Sequence, residues 1–194
     1  MPTYPITLPS DPAPREVTWR PVNKVSVSES PITGQSQVYA HPGQWWEVNF
    51  ELPPMGEASA WDWESLLLKL FGREGTFYFG PTTDTPRLTV SGTVTVKVLL
   101  SDTFVTLEGG TGTVSRGDWL EIGGGLYRVV TGDVFASGEA DVELWPRLRS
   151  AVVPAAAVDY ATPQGTFRLA GDFDWSLNVA KVTDGLTVSA REVV

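Results

Sequence analysis

The sequence predicts a mainly β protein: a β-barrel or sandwich with one short helix and an inserted, small barrel-like β module. Apolar and polar residues alternate over residues 45–52, as in a half-buried strand. Residues 88–152 hold short candidate strands, separated by glycine-rich turns at intervals of roughly 8–12 residues. Hydrophobic residues make up 42% of the chain and charged residues 19%, so the chain is apolar enough to bury a core.

Prolines dominate the start of the chain. Residues 1–15 contain prolines at positions 2, 5, 9, 12 and 14, and each removes an amide donor and restricts φ. We expect residues 1–15 to form an extended arm that is frayed or laid on a neighbouring molecule. The main β-barrel domain is expected to comprise residues 16–87 and 153–194.

Strand patterns follow the arm. The first strand is expected over residues 16–28, where Pro21 suggests a break or a sheet edge. A second is expected over residues 35–40, and a turn at His41-Pro42-Gly43 should separate it from the strand over 45–52. The apolar face of that last strand is predicted to consist of Trp46, Val48, Phe50 and Leu52.

One segment, residues 59–71, predicts a helix. Ser59 would cap its first turn, with Asp62 three residues later as in a capping box, and Gly72 would end it. Apolar residues at helical spacing predict the buried face: Trp63, Leu66, Leu67 and Leu70.

Residues 88–152 form the predicted inserted module. Its candidate strands are 93–100, 103–108, 118–122, 126–131 and 139–145. Turns are expected at Ser101-Asp102, over the loop Gly109–Gly112, at the triple glycine 123–125 and at residues 136–138.

The last part of the chain returns to the main domain. Strands are expected over 166–170, 173–182 and 186–193, and Asp184-Gly185 predicts a hairpin between the last two.

The chain offers few groups for catalysis or metal binding. It has no cysteine, which excludes disulfides, thiolate catalysis and cysteine zinc sites. His41 is the single histidine, and without a GxSxG motif it is interpreted as a loop residue. The acidic pairs Asp62/Glu64 and Asp172/Asp174 match no calcium loop and are interpreted as exposed. We therefore expect a protein that is not an enzyme, with no catalytic, cofactor-binding or metal-binding residues.

Charge and hydropathy argue against two classes of partner. The net charge of −9 makes the chain a poor ligand for phosphate backbones. No apolar run reaches about 18 residues, and the first residues lack a secretory signal, so no membrane partner is expected. The eight tryptophans are expected in the core or at subunit interfaces.

A series of short motifs runs in order along nearly the whole chain. The motifs are Ser30-Pro31-Ile32-Thr33-Gly34-Gln35-Ser36-Gln37, Gly43-Gln44-Trp45-Trp46, Leu52-Pro53-Pro54-Met55, the tryptophan-containing segment Trp61 to Leu70 with Gly72, Gly75 and Phe77, Gly117-Asp118-Trp119-Leu120-Glu121-Ile122-Gly123 with Leu126-Tyr127-Arg128-Val129, Leu144-Trp145-Pro146-Arg147-Leu148-Arg149, and Phe167-Arg168-Leu169. In this order they resemble the small tail proteins of long-tailed bacteriophages.

This resemblance implies a structural component of a virion tail, assembled in the host cytoplasm. A distal tail protein that joins the tail tube to the tip complex is the first expectation, and the tail tube protein is the second. The resemblance also implies self-association into a ring, expected to be a hexamer, and contacts with the tube and hub proteins. DNA would pass through the lumen without specific binding, which suits an acidic chain.

Two other functions stay open from the sequence. A carbohydrate- or receptor-binding β-domain would use exposed tryptophans as sugar platforms, with Asp172 or Asp174 on the hydroxyls. A cell-wall hydrolase would use a pair of carboxylates.

Overall fold

The computed structural model describes residues 3–81, 89–149, 152–173, 176–177 and 182–194. These residues are mainly β-strand with one α-helix, which confirms the predicted fold class. The first elements are β1 (Ile6–Thr7), β2 (Glu16–Glu29), β3 (Ser36–Glu51), β4 (Met55–Gly56), α1 (Glu57–Lys69) and β5 (Phe77–Phe79). The central ones are β6 (Ser91–Leu99), β7 (Phe104–Thr111), β8 (Thr113–Val114), β9 (Trp119–Ile122), β10 (Gly125–Thr131), β11 (Asp133–Val134) and β12 (Glu139–Trp145). The last are β13 (Val158–Asp159), β14 (Gly165–Leu169), β15 (Ser176–Leu177), β16 (Val182–Asp184) and β17 (Thr187–Glu192).

The main sheet is open and has six strands in the order β1-β5-β14-β17-β3-β2. Strands β2 and β3 form a long antiparallel hairpin whose pairs run from Glu16↔Glu51 to Glu29↔Ser36. The alternation predicted for the strand over 45–52 is confirmed, since Trp46, Val48, Phe50 and Leu52 are all buried.

The second sheet also has six strands, in the order β13-β9-β10-β12-β7-β6. Its two edges meet, because Thr95 bridges Ala157 and the Val96 amide donates to the Ala156 carbonyl at 2.9 Å. This sheet is therefore a small, nearly closed barrel. Strand β13 lies beyond residue 152, where the inserted module was predicted to end. The division into two domains stays a prediction.

The Asp184-Gly185 hairpin prediction is wrong. Strand β16 pairs with β15 and β4 in a three-stranded sheet, whereas β17 pairs with β14 and β3. The Asp-Gly sequence indicates a turn, but it does not determine whether the strands on either side of the turn pair with each other. Of the strand predicted over 173–182, residues 176–177 and 182 are in strands, and 174–175 and 178–181 lie outside the described residues.

Two turn predictions need correction, and a third is confirmed. The predicted turn at 41–43 lies inside β3, where these residues bulge opposite Lys24 between the pairs Asn23↔Gln44 and Val25↔Ala40. The predicted loop 109–112 is also mostly strand, since residues 109–111 are the end of β7. Gly109 has a φ of 84°, and a Cβ atom at this position would lie only 2.4 Å from the Thr93 carbonyl oxygen, so no larger residue fits there. The triple glycine does make a hairpin turn, in which Gly123 and Gly124 both have positive φ.

Helix α1 begins two residues earlier than predicted and has no side-chain cap. Its N-cap is Gly56, so Ser59 lies inside the first turn and the predicted capping box does not form. The predicted apolar face is confirmed for Trp63, Leu67 and Leu70, which are each 1% exposed or less. The helix ends at Lys69, just before the predicted stop at Gly72.

The N-terminal arm lies on its own subunit, which differs from the expected frayed or neighbour-bound arm. Ile6 and Thr7 pair in parallel with Phe77 and Tyr78 of β5. The Tyr4 hydroxyl donates to the Lys69 carbonyl at 2.8 Å. Tyr4, Ile6 and Leu8 are half-buried against the main core. Ile6 and Thr7 lie between Pro5 and Pro9 and keep their backbone N–H groups, so this segment can form a short edge strand.

Two hydrophobic clusters form the core, one under the main sheet and one inside the barrel. Trp119 and Leu126 come from barrel strands but pack in the main cluster. The ring centroid of Trp119 lies 4.8 Å from the ring centroids of both Trp19 and Trp46. Aromatic packing therefore joins the barrel to the main sheet.

Candidate interaction surface

The outer half of the β2–β3 hairpin stands beyond the main sheet as a two-stranded ribbon. We call residues 24–41 the ribbon. Strand β17 pairs with β3 only over Glu47–Glu51, so among the described residues the two ribbon strands pair only with each other. Every strand residue of the ribbon is exposed. Both faces of the ribbon therefore meet solvent in one copy of the chain.

One face of the ribbon is apolar. Val25 pairs with Ala40 and Val27 pairs with Val38, and strict alternation places these four side chains on one side. The exposed fractions are 48% for Val25, 65% for Val27 and 60% for Val38. A strand pair normally buries such a face against a core. Here no described part of the chain covers it.

An ordered turn closes the ribbon and presents one more apolar side chain. The Ser30 amide donates to the Gln35 carbonyl, and the Gly34 amide donates to the Ser30 carbonyl, both at 2.9 Å. The Ser30 hydroxyl oxygen also accepts the Thr33 amide at 3.3 Å. Ile32, at the tip, is 92% exposed. The turn thus holds an isoleucine in solvent, and a partner that covered it would gain the free energy of burying an apolar side chain.

Strand β2 is also an edge of the main sheet, so its outer row of backbone groups has no strand partner among the described residues. Pro21 and Lys24 lie on this edge, and both residue types discourage uncontrolled strand pairing. Arg20, also on β2, pairs with Glu47 of β3 at 3.5 Å.

Polar contacts fix the base of the ribbon to the barrel. Asn23 Oδ1 accepts hydrogen bonds from Gln44 Nε2 at 2.9 Å and from Trp145 Nε1 at 3.2 Å. Gln44 Oε1 accepts the Arg147 amide at 2.8 Å, and the Arg147 guanidinium pairs with Asp102 at 2.6 Å. These contacts hold the ribbon in one direction relative to the barrel.

A buried ion pair lies deeper along the same seam. Glu192 is 2% exposed. Its Oε1 accepts hydrogen bonds from Arg149 Nη1 at 2.7 Å and from the Leu126 amide at 3.3 Å. Its Oε2 accepts the Trp46 amide at 3.1 Å and lies 2.6 Å from Arg149 Nη2. Since Trp46 and Glu192 belong to the main sheet and Leu126 to the barrel, this carboxylate joins the two sheets.

The electrostatics of this pair favour a charged arginine. Burial alone would lower the pKa of Arg149, but the hydrogen bond and the charge of Glu192 raise it above its usual value. Burial raises the pKa of the nearby Tyr127, and the hydrogen bond that its oxygen accepts from the Arg149 amide at 3.2 Å opposes this shift. The Glu192 side chain is shielded from solvent and the Arg149 side chain is 17% exposed, so the group is a structural joint rather than an open site.

His41 lies on the ribbon beside a serine. Its Nε2 is 3.3 Å from Ser26 Oγ, and both residues are exposed. Within the described residues no carboxylate hydrogen-bonds to the other ring nitrogen. A serine–histidine pair on an open two-stranded ribbon has no pocket to hold a substrate. The structure thus gives His41 no triad, and the absence of enzymatic activity stays a prediction.

The carboxylates singled out in the sequence are not brought together. Asp62 and Glu64 lie on α1, with Asp62 exposed, and Asp172 is exposed. Asp174 lies outside the described residues. Across the described ranges, no group of three or more histidine, cysteine, aspartate or glutamate side chains could hold a metal ion.

The tryptophans are mostly covered. Of those that the structure describes, only Trp61, at 58%, is a strongly exposed side chain, and Trp175 lies outside the described residues. Trp45 is half-buried beneath Arg191, whose guanidinium carbon lies 3.9 Å from the ring centroid. A paired tryptophan platform for sugars is therefore not present in the described part of the chain.

Sequence reasoning did not identify the ribbon face or the Glu192–Arg149 pair. The signal for the ribbon was present, because the valines at 25 and 27 alternate with serines. The signal for Glu192 was subtler. It takes an inward position in β17 after the buried Val188 and Ala190, where an apolar residue is expected.

No protein-family model matches the chain, and a search of curated proteins finds no match. Among the described residues, the structure has no helix long and apolar enough to cross a membrane.

Proposed function

We propose that this chain is a non-enzymatic structural subunit of a bacteriophage tail. It assembles into a ring at the tail tip, as a distal tail protein that joins the tail tube to the tip complex. The observation that carries the proposal is the ribbon, whose exposed apolar face is built with the alternation of a buried sheet.

Other copies of the chain are the natural cover for this face. Burying a valine-sized side chain contributes about 1.5–3 kcal/mol when it is complete, and the ribbon offers three valines. The hydrogen bonds at Asn23 and Gln44 pre-orient the ribbon, which reduces the entropy lost on association.

Closing into a ring leaves none of these contact surfaces unpaired. If the ribbon of one copy contacts a different surface of the next, each pair leaves one ribbon and one acceptor surface free. A closed ring satisfies both on every subunit, whereas an open chain of copies does not. The six-fold symmetry and the tail itself are proposed from the ordered motifs that resemble small tail proteins.

The charge balance suits the same role. A net charge of −9 disfavours binding to DNA, so a ring of these subunits would let DNA pass without holding it. The partners proposed are further copies of this chain and the tube and hub proteins on either side.

Two aspartate substitutions on neighbouring residues test the ribbon. Val27→Asp places a charge in the apolar face, and Ser28→Asp places the same charge on the opposite face. We expect light scattering to show a ring for the wild type and for Ser28→Asp but a monomer for Val27→Asp. A wild-type protein that stays monomeric at every concentration, or two variants that assemble equally well, would contradict the proposal.

Antibody labelling of virions tests the location. An antibody against this chain should label one end of the tail in electron micrographs. Labelling along the whole tail would replace the distal tail assignment with the tube assignment. Absence of the chain from the virion would overturn the tail assignment altogether.

A further inference from the structure

Helix α1 has an outer face that carries exposed apolar side chains. Trp61 and Leu68 are 58% and 53% exposed. They are seven residues apart, so they lie on the same side of the helix, two turns apart. Asp62, Ser65 and Lys69 are also exposed, and we call these five residues the helix face. An exposed tryptophan and leucine on one face are typical of an interaction surface.

The helix face has opposite charges at its two ends. Asp62 and Lys69 are the charged residues among the exposed ones of α1. They are also seven residues apart, about 10 Å along the axis, so they cannot pair within one helix. Neither forms an ion pair with another described residue. Each charge is therefore available to a partner.

The other charges of this region lie off the helix face or offset each other. Glu57, in the first turn, is half-buried. Glu64 is half-buried on another side of the helix, where it lines a small cavity with Phe173. Arg73 and Glu74 follow the helix with one charge of each sign. The charge pattern that a partner meets on the helix face is thus acidic at one end and basic at the other.

We propose that the helix face packs on the same face of a second copy of this chain. The two helices run antiparallel about a two-fold axis near Ser65. Asp62 of each copy then faces Lys69 of the other, because positions 62 and 69 are equally far from the axis. A parallel arrangement would instead place like charges opposite each other, so the charges favour the antiparallel one. The helix dipoles favour it as well.

Self-complementarity identifies a second copy as the partner. In a two-fold contact, each feature needs its complement at the same distance on the other side of the axis. The helix face meets this condition twice, because Asp62 is matched by Lys69 and Trp61 is matched by Leu68. Ser65, at the centre, is small and lets the two helices approach closely.

The proposed contact is small and separate from the ribbon. One short helix offers less than the roughly 1,000 Å² that a stable interface buries, so a pair of single copies associates weakly. We expect it only at protein concentrations above those that ring assembly needs. Val27→Asp, the variant expected to prevent ring assembly, is therefore the background in which the helix contact is measured.

The absence of native cysteine makes disulfide trapping a clean test. Ser65→Cys places a thiol beside the two-fold axis, within reach of the same thiol in the second copy. Ala58→Cys is the matched control, because Ala58 is also exposed on α1 but the contact would hold its two thiols about 20 Å apart. We expect oxidation to give at least tenfold more dimer for Ser65→Cys than for Ala58→Cys. Equal yields would overturn the proposal.

Charge reversal tests the antiparallel pairing independently. Asp62→Lys leaves two positive charges on the helix face, and Lys69→Asp leaves two negative ones. Each variant alone should associate on the order of tenfold more weakly than its parent in analytical ultracentrifugation. An equal mixture of the two should regain the parent's affinity, because both ion pairs form again between unlike chains. A mixture that associates no better than the separate variants would overturn the pairing.

The outcomes separate this inference from the proposed function. Wild-type rings, combined with a Val27→Asp chain that shows no association up to about 1 mM, would overturn the helix contact and leave the ring intact. Disulfide dimers of Ser65→Cys, combined with a wild type that forms no ring, would overturn the ring and leave the helix contact intact. Circular dichroism of each variant checks the fold, which should be unchanged because every substituted position is exposed.

Discussion

At the scale of single residues, Glu192 is the most constrained polar group of the joint between the two sheets. It meets two backbone amides and a guanidinium while being 2% exposed. Glu192→Gln should lower the free energy of unfolding by about 3–5 kcal/mol, because Arg149 would keep a buried charge without its partner. Arg149→Met should cost a similar amount, and the double variant should cost less than the sum of the two.

Urea unfolding measures these free energies, and a matched exposed pair provides the control. Asp102→Asn removes the partner of Arg147 from an ion pair whose side chains are 54% and 42% exposed, so it should cost less than about 1 kcal/mol. Equal losses for Glu192→Gln and Asp102→Asn would show that the buried pair does not join the sheets.

The raised pKa of Glu121 predicts a specific pH dependence of the protein's stability. Burial raises its pKa above the ordinary glutamate value of 4.5, although the hydrogen bond from the Gln164 amide opposes the shift. The folded state therefore holds this proton more tightly than the unfolded state, so its contribution to stability is present below pH 4.5 and is lost as the pH rises through the raised pKa. Glu121→Gln should lose less stability than the wild type as the pH rises through that window. Parallel thermal melts of the two proteins over this range check it, and identical slopes would contradict it.

At the scale of elements, the helix has one buried and one exposed side that can be compared directly. Leu67 is fully buried, so Leu67→Ala should lower the free energy of unfolding by about 2–5 kcal/mol through lost burial and a cavity. Lys69→Ala, on the solvent side, should change it by no more than about 0.5 kcal/mol. Similar shifts of the denaturation midpoint for the two variants would mean that the assigned face is wrong.

The N-terminal arm should stabilise its own subunit. Ile6 is half-buried against the main core, so Ile6→Ala should cost about 1–2 kcal/mol, less than a fully buried isoleucine. The neighbouring Thr7 is exposed on the other side of β1, and Thr7→Ala is the matched control. If chemical denaturation shows no loss for Ile6→Ala, the arm is a surface appendage after all.

The elements that the sequence predicts correctly are those with local causes. Alternation in β3 and the positive φ at Gly123 and Gly124 depend on neighbouring residues, and both are confirmed. The partner of β16 and the pairing of Arg149 with Glu192 depend on residues distant along the chain, so no local pattern determines them. The prediction for the N-terminal arm is wrong for a related reason. The arm is held on its own subunit by pairing with residues 77 and 78 of β5, which are distant in sequence.

At the scale of the whole molecule, two β units share one aromatic joint, and a ribbon extends from it. Trp19 and Trp46 of the main sheet pack on Trp119 of the barrel. At the base of the ribbon, Asn23 is bonded to Trp145 of β12, and Gln44 is bonded to Arg147 just after it. A force on the ribbon is therefore shared by both units. Such rigidity is what the proposed ring requires, since each subunit would hold its neighbours in fixed positions.

The central claim is that copies of this chain close into a ring through the ribbon. Electron microscopy of the purified full-length protein, with particles averaged by class, tests it most directly. The account predicts closed rings with six-fold rotational symmetry, each subunit joined to the next by a contact at the ribbon. Monomers, or two-fold dimers joined ribbon to ribbon, as the dominant particles at every concentration would contradict it.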